Sequence, residues 1–308
     1  MDSVTVKPCK LKGKIRPPNS KSYTHRALCL GLLSQSPTLI VNPLFSRDTR
    51  ATLTSCVNFG AEILDLDSAV ELKPPSVLLN PEKLNVENSG TTLRFLTSIS
   101  ALVPQGEVIL NGDDSIQKRP MKPLLNSLND LGVSCSSVNV DGTPPIIVKG
   151  GGIKGGHTEM SGSISSQFIS SLLISCSRAE TETSVKLLEP IVSEPYIDST
   201  LFMINKFSGL VTRNNNIFKI EPSKYSCNKI NIPSDFSAAA FIFAGAILSN
   251  GKVTVIMDEQ DMPQADKNIL NIISQMGASI ETNSTDSSFT ISSEGLLNGG
   301  SFDLSSCP

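Results

Sequence analysis

Four short clusters of small polar residues stand directly in front of apolar runs with helical spacing: Asn19-Ser20-Lys21-Ser22, Asn88-Ser89-Gly90-Thr91, Ser163-Ile164-Ser165-Ser166 and Ser234-Asp235-Phe236-Ser237. At such an opening, free backbone N–H groups, the positive end of the helix dipole and short hydroxyl side chains converge on any bound anion. One opening alone signals little, because Ser, Thr, Asn and Asp are the ordinary N-caps of any helix. The neighbours change the reading: Lys21 and Arg26 accompany the first cluster, Gly90 and Arg94 the second, and Gln167 the third. Arg47, Arg50 and Arg119 also fall at or near predicted helix starts, where phosphates and carboxylates are best held. For Arg47 and Arg50, a solvated first-turn charge explains the position equally well. Together these residues describe an anion-binding surface.

The elements that must position them repeat. With Ser20, Ser89, Ile164 and Asp235 as markers, the spacings are 69, 75 and 71 residues, and one more step of 71 lands on Ser306, near the last residue, Pro308. A second set of markers, Gly60, Gly132, Gly209 and Gly277, follows four further helix-like runs at spacings of 72, 77 and 68. The chain therefore reads as four copies of one α/β unit: strand, helix, strand, helix, paired strands. First helices are predicted over 21–33, 91–102, 165–177 and 237–248, and second helices over 47–59, 120–131, 195–207 and 264–276. Strands are predicted over 38–41 and 145–148, the latter after an Asp141-Gly142 turn. A unit of this kind cannot bury its apolar face alone. Three copies make one domain over 20–232, and the fourth begins a second domain whose partners are missing.

Composition narrows the function classes. At 308 residues with 39% hydrophobic and 18% charged residues, the chain can bury sizeable cores without disulfides or metal. No apolar run reaches the length of about eighteen residues that suggests a membrane span. A net charge of −3 argues against a general nucleic-acid binder. The seven cysteines include no C-x-x-C pair and read as reduced, small hydrophobic fillers. His25 and His157, the two histidines, form no metal-ligand pattern, so no metal is expected. With no secretory n-region and h-region, the expected location is cytoplasmic.

Five motifs in order then carry a resemblance. They are Pro18-Asn19-Ser20-Lys21-Ser22 with Arg26, Asn88 to Arg94, Lys118-Arg119-Pro120-Met121-Lys122-Pro123-Leu124, Ser165-Ser166-Gln167-Phe168, and Ser193-Glu194-Pro195-Tyr196-Ile197-Asp198. The sequence resembles the family of 3-phosphoshikimate 1-carboxyvinyltransferases, also called 5-enolpyruvylshikimate-3-phosphate synthases, and the likeness continues through Ser234 to Ala239. The resemblance implies the enolpyruvyl transferase two-domain fold of repeated βαβαββ units, closing over the substrates. Residues 20–232 match its first domain. The second domain is incomplete here: one repeat over 233–308, with 1–19 supplying an N-terminal strand near 4–9. The remaining repeats, with further phosphoenolpyruvate-binding arginines and the acid and base residues, are expected beyond Pro308. On that reading the 308-residue chain is C-terminally truncated and by itself inactive.

The implied activity is transfer of the enolpyruvyl group of phosphoenolpyruvate to shikimate 3-phosphate, without metal or organic cofactor, by a protein that is monomeric at full length. The resemblance implies that Lys21 touches both substrates while Ser22 and Arg26 hold shikimate hydroxyl and carboxylate groups. Ser165, Ser166 and Ser193 are implied to hold the 3-phosphate, with Tyr196 against the shikimate ring and Gln167 between both ligands. Gly90 and Arg119 are implied to line the phosphoenolpyruvate pocket. Each also has a structural reading: Gly90 easing a tight turn, Ser165 capping a helix, Tyr196 a half-buried aromatic. Arg94 stays open between the two, because Phe95 follows it where many relatives have proline. Two rivals remain. A transferase acting on a UDP-linked amino sugar begins its motif Lys-Asn rather than Lys21-Ser22 and often carries a reactive cysteine where Asp113 to Lys118 has none. A non-catalytic fragment that holds shikimate 3-phosphate is the other.

Overall fold

The structure, a computed structural model, describes residues 5, 7–258 and 261–305. Strand β1 (Lys12–Ile15) precedes α1 (Lys21–Leu32), β2 (Thr38–Val41), α2 (Arg47–Asn58), β3 (Glu62–Leu66) and β4 (Ala69–Lys73). The second copy holds β5 (Lys83–Asn85), α3 (Gly90–Ser100), β6 (Glu107–Asn111), α4 (Lys122–Asp130), β7 (Cys135–Ser137) and β8 (Ile146–Lys149). The third holds β9 (Gly156–Ser161), α5 (Ser166–Ser175), β10 (Thr183–Leu188), α6 (Glu194–Lys206), β11 (Leu210–Asn214) and β12 (Ile217–Glu221). Then come β13 (Lys229–Asn231), α7 (Phe236–Leu248), β14 (Lys252–Ile256), α8 (Ile269–Gln275), β15 (Ser279–Asn283) and β16 (Ser288–Ser292).

The fold is α/β, and the period seen in the sequence is the period of the sheets. Four four-stranded sheets share one plan: β13-β2-β4-β3, β5-β6-β8-β7, β9-β10-β12-β11 and β1-β14-β16-β15. In each, the first pair is parallel and the next two pairs are antiparallel. A parallel pair needs a crossover, which α3 supplies between β5 and β6 and α5 between β9 and β10, whereas the antiparallel hairpin needs only a turn. Two leading strands are displaced along the chain. β13, which follows the third copy, pairs with β2 and so completes the first copy's sheet. β1, which precedes α1, pairs with β14 of the last copy. The N-terminal strand expected near 4–9 is thus found at Lys12–Ile15; Val4 and Val6 lie outside the described residues, and Lys7–Cys9 forms no strand. Pro8 has no N–H to give to a ladder, which explains the shift. Ser306, Cys307 and Pro308 also lie outside the described residues.

The chain divides into two compact units, Lys21–Ile232 and Met1–Ser20 with Pro233–Pro308. Within the larger unit, α1, α3 and α5 are buried along most of their length. Helix α3 packs on α1 and α5, and α1 and α5 both pack on α6. Small hydroxyls allow the close approach while returning bonds to the backbone. Thr97 and Ser100 donate to the Leu93 and Leu96 carbonyls at 2.7 Å, and Ser171 of α5 donates to the Arg94 carbonyl at 2.6 Å. In the smaller unit, α7 is capped by Asp235, whose side chain accepts the Ser237 N–H at 2.8 Å. Phe236, Phe243, Val255, Phe289 and Ile291 form its core.

Helix ends depart from expectation in two places. Gly60, Gly132 and Gly277 take positive φ after their helices, as a terminating glycine does. In the third copy Ser208 takes that conformation instead, and Gly209 serves a different need: a Cβ there would lie 2.5 Å from the Tyr225 ring. The last predicted helix, 264–276, is a 3-10 turn over Ala265–Asn268 continued by α8.

Candidate functional site

In the larger unit, bonds between the first two turns of α1, α3, α5 and α6 draw their openings together. Arg26, 2% exposed, reaches from α1 to α6: Nε donates to Thr200 Oγ1 at 2.8 Å and Nη2 to the Tyr196 carbonyl at 2.8 Å. Its Nη1 donates to the carbonyl and hydroxyl of Ser22 at 3.0 and 3.1 Å, so four of its five N–H groups are engaged. Burial draws its pKa down to about 10. The Phe95 ring lies 5.7 Å from the guanidinium, so this side chain packs α3 against the cation. Lys21 is half-exposed, and its Nζ lies 3.2 Å from Asp48 on α2.

The openings of α3 and α5 are tied together by Arg94 and Gln167. Arg94 Nη1 donates to Gln167 Oε1 at 2.5 Å, and Gln167 Nε2 donates to Thr91 Oγ1 at 3.2 Å. The Arg94 guanidinium lies 5.0 Å from the Phe168 ring, and its Nε has no hydrogen-bond partner among the described residues. Burial lowers the Arg94 pKa to about 10, and the charge of Arg119 acts in the same direction. Arg119 itself is exposed and makes no ion pair among the described residues. A Cβ at Gly90 would lie 3.1 Å from Arg94 Nη1, so a side chain there would press on that guanidinium.

Ser165 caps α5, accepting the Gln167 N–H at 3.3 Å; that bond uses a lone pair and leaves its O–H free to donate. Ser166, the next residue, is buried at the first helical position. Ser193 precedes α6 in the left-handed conformation, φ 55 and ψ 34, and its side chain makes no capping bond. Tyr196 stands half-buried one turn on, its N–H bonded to the Ser193 carbonyl at 3.1 Å. Arg213 of β11 braces this turn from Glu194 and Asp198, the latter at 3.2 Å.

Arg47 and Arg50 take no part in the cluster. Arg47 pairs with Glu87 at 2.7 Å on the surface, and Arg50 lies 5.0 Å from the Phe45 ring. Residues the sequence reading did not single out are Asp48, Thr200 and Arg213. Asp48 follows Arg47 in the first turn of α2, and Thr200 lies four residues beyond Tyr196, a spacing that faces it the same way. Arg213 carried no signal. Among the described residues, no three His, Cys, Asp or Glu side chains gather as metal ligands, and no helix is long and apolar enough to cross a membrane.

Comparison with known proteins matches residues 6–308 to the family described as EPSP synthase (3-phosphoshikimate 1-carboxyvinyltransferase). A 3-phosphoshikimate 1-carboxyvinyltransferase of Korarchaeum cryptofilum is 37% identical over 279 residues, 90% of this chain and 66% of that protein. The like-named protein of Nitrosopumilus maritimus is 39% identical over 308 residues, 98% of this chain and 71% of that protein. Among solved structures, an EPSP synthase from Acinetobacter baumannii superposes with a TM-score of 0.74 at 25% identity, over 92% of this chain and 64% of that one. The chain thus spans about two thirds of the length of the curated relatives it matches.

Proposed function

This chain belongs to the EPSP synthase family, and from that premise we propose that its larger unit holds shikimate 3-phosphate and phosphoenolpyruvate for enolpyruvyl transfer. In that reaction the 5-hydroxyl oxygen bonds to C2 of phosphoenolpyruvate while a proton adds to C3. The tetrahedral adduct then loses inorganic phosphate and a proton, restoring the double bond. The product serves the shikimate pathway of aromatic amino-acid biosynthesis.

The observation that carries this reading is the bonding of four helix openings to one another, through Arg26 to Thr200 and Tyr196, Ser170 to Thr200, and Arg94 and Thr91 to Gln167; Lys21, Ser22, Gly90, Ser165, Ser166 and Ser193 stand at the helix starts so joined. The 3-phosphate is assigned to the hydroxyls of Ser165, Ser166 and Ser193, and the shikimate ring to Tyr196. Ser22 and the remaining N–H of Arg26 serve the hydroxyl and carboxylate groups. Lys21 reaches both substrates, and Arg119, Gly90 and Gln167 serve phosphoenolpyruvate. These groups orient the ligands and meet charge that develops on the leaving phosphate. Proton transfer is assigned to none of them. His25 is no candidate, because burial and the charges of Lys21 and Arg26 hold its pKa at about 3 and seal it from solvent.

Titration calorimetry of the chain with shikimate 3-phosphate tests the assignment. Binding is expected for the unaltered chain and a loss of about a hundredfold in affinity when Lys21→Ala and Ser166→Ala are combined, each removing a charge-assisted contact of about 1.5 kcal/mol. Equal binding by the double variant overturns it.

A further inference from the structure

We propose that His25, Thr52 and Thr92 form a buried positioning relay that sets the opening of α3 against that of α1. His25 Nδ1 lies 2.7 Å from Thr52 Oγ1 on α2, and Thr52 Oγ1 lies 2.7 Å from Thr92 Oγ1 on α3. Thr92 Oγ1 in turn lies 2.6 Å from Ser89 Oγ, the capping atom of α3, which also accepts the Thr92 N–H at 3.2 Å. All four side chains are buried. One continuous line of hydrogen bonds therefore joins three helices from two repeats and ends on the cap beside Gly90.

Proton count gives the line a direction. Each hydroxyl has one proton. When Thr92 donates to Ser89, the short contact between the two threonines requires Thr52 to donate to Thr92, and His25 must then donate to Thr52 from Nδ1–H. Nε2 is left as a bare lone pair, and among the described residues it has no hydrogen-bond partner. Running the line backwards would bury an Nε2–H donor without an acceptor, which folded proteins avoid more strictly than an under-used acceptor. The positive charges near the ring, Lys21 and Arg26, reinforce the neutral form, while the acid on α2 is paired with Lys21. Lys21 and Arg26 share its helix, Asp48 lies on α2, and Thr92 Oγ1 lies 3.3 Å from the Asp48 carbonyl. A connected buried network of this kind specifies one geometry, since breaking any member strands the others. What it holds is the first turn of α3, where Leu93 N–H bonds to the Ser89 carbonyl at 3.0 Å and Gly90 leaves room for Arg94. That this turn meets phosphoenolpyruvate rests on the proposed function; the relay itself does not.

Nuclear magnetic resonance of the isotopically labelled 308-residue chain tests the relay without any ligand, so its failure leaves the proposed function untouched. With His25 and His157 the two imidazoles, assignment is direct. His25 is expected as the neutral Nδ1–H tautomer, unchanged between pH 5 and 9, a window bracketing the ordinary histidine value. Thr52→Val keeps the shape and removes the hydroxyl. Exchange of the Thr92 and Leu93 amides should quicken up to about tenfold beyond any change in the β2 amides, as for loss of one hydrogen bond. Thr52→Ser should restore it. An Nε2–H tautomer, a His25 ring that titrates within that window, equal acceleration at β2, or failure of the serine variant to restore exchange would each overturn the relay. The tautomer measurement needs no variant and decides the matter even if Thr52→Val does not fold.

Discussion

Arg94 and Arg119 are near enough for one charge to bear on the other, yet their surroundings differ. Arg94 is a buried cation held by an amide and an aromatic ring, with no acidic partner among the described residues. Burial of an unpaired charge opposes folding, so if Arg94 holds Gln167 for the proposed phosphoenolpyruvate site, its removal should separate stability from binding. Arg94→Met, similar in length and apolar, should leave the denaturation midpoint unchanged or raise it while lowering phosphoenolpyruvate affinity, as read by calorimetry. A lower midpoint with intact binding would make Arg94 purely structural. His25 yields a pH prediction. Its folded pKa of about 3 lies below the unfolded value, so the unfolded chain binds the proton first as pH falls. The stability it contributes is complete above about pH 6.5 and is lost as pH drops toward 3, with a slope of at most about 1.4 kcal/mol per unit. Denaturant titrations of His25→Asn should lack that share of the slope between pH 6 and 4; identical slopes would count against a buried neutral ring.

At the scale of elements, the start of α6 combines a strained residue with a brace. Ser193 takes a left-handed conformation that costs a non-glycine residue about 1 kcal/mol, and no side-chain cap compensates it. Arg213 braces the turn from two carboxylates and lies 5.2 Å from the Phe218 ring. Burial raises the Asp198 pKa, and the Arg213 charge opposes the rise. A hydroxyl presented on so particular a backbone suits the phosphate role proposed for Ser193. Ser193→Gly should therefore raise the melting temperature, by roughly 2–4 °C for about 1 kcal/mol in a unit of this size, and still weaken shikimate 3-phosphate binding. Ser193→Ala should weaken binding without the gain in stability. Matching melting temperatures for the two variants would remove strain from the account.

Across the whole molecule, the two units differ in how well equivalent helices are covered. In the larger unit α1, α3 and α5 shield one another. In the smaller unit α7 is the most apolar helix of the chain, yet Phe241 and Leu248 are 82% and 76% exposed, on the side away from its sheet. The face through Ala238, Phe241, Gly245 and Leu248 follows helical spacing and is apolar throughout. Such a face promotes association and leaves its helix with few contacts to resist local opening. Hydrogen exchange should be faster in α7 than in α1, α3 and α5. Phe241→Lys should reduce self-association in sedimentation experiments while leaving the circular dichroism spectrum unchanged. A variant that sediments as the parent does would show that the face is inert.

Local order was largely legible in the sequence. The seventy-residue period, the α/β class, strand 38–41 and the first helices within two residues all follow from apolar spacing and capping residues, which act over one or two turns. The cluster of helix openings was legible as residue types, because a helix start announces itself in four residues. What the sequence left open depends on contacts that no local pattern encodes. Strand exchange between copies is decided by pairing, not by periodicity, and the N-terminal strand that the resemblance implied near 4–9 pairs instead at Lys12–Ile15. Arg26 and Thr200 meet across 174 residues, Arg94 and Gln167 across 73, and His25 and Thr52 across 27. Burial and the partners brought by the fold turned Arg26 from a free cation into a brace and Arg94 into the support of Gln167. Those outcomes belong to the tertiary structure, since the energy of a charge depends on what surrounds it rather than on what precedes it in the chain.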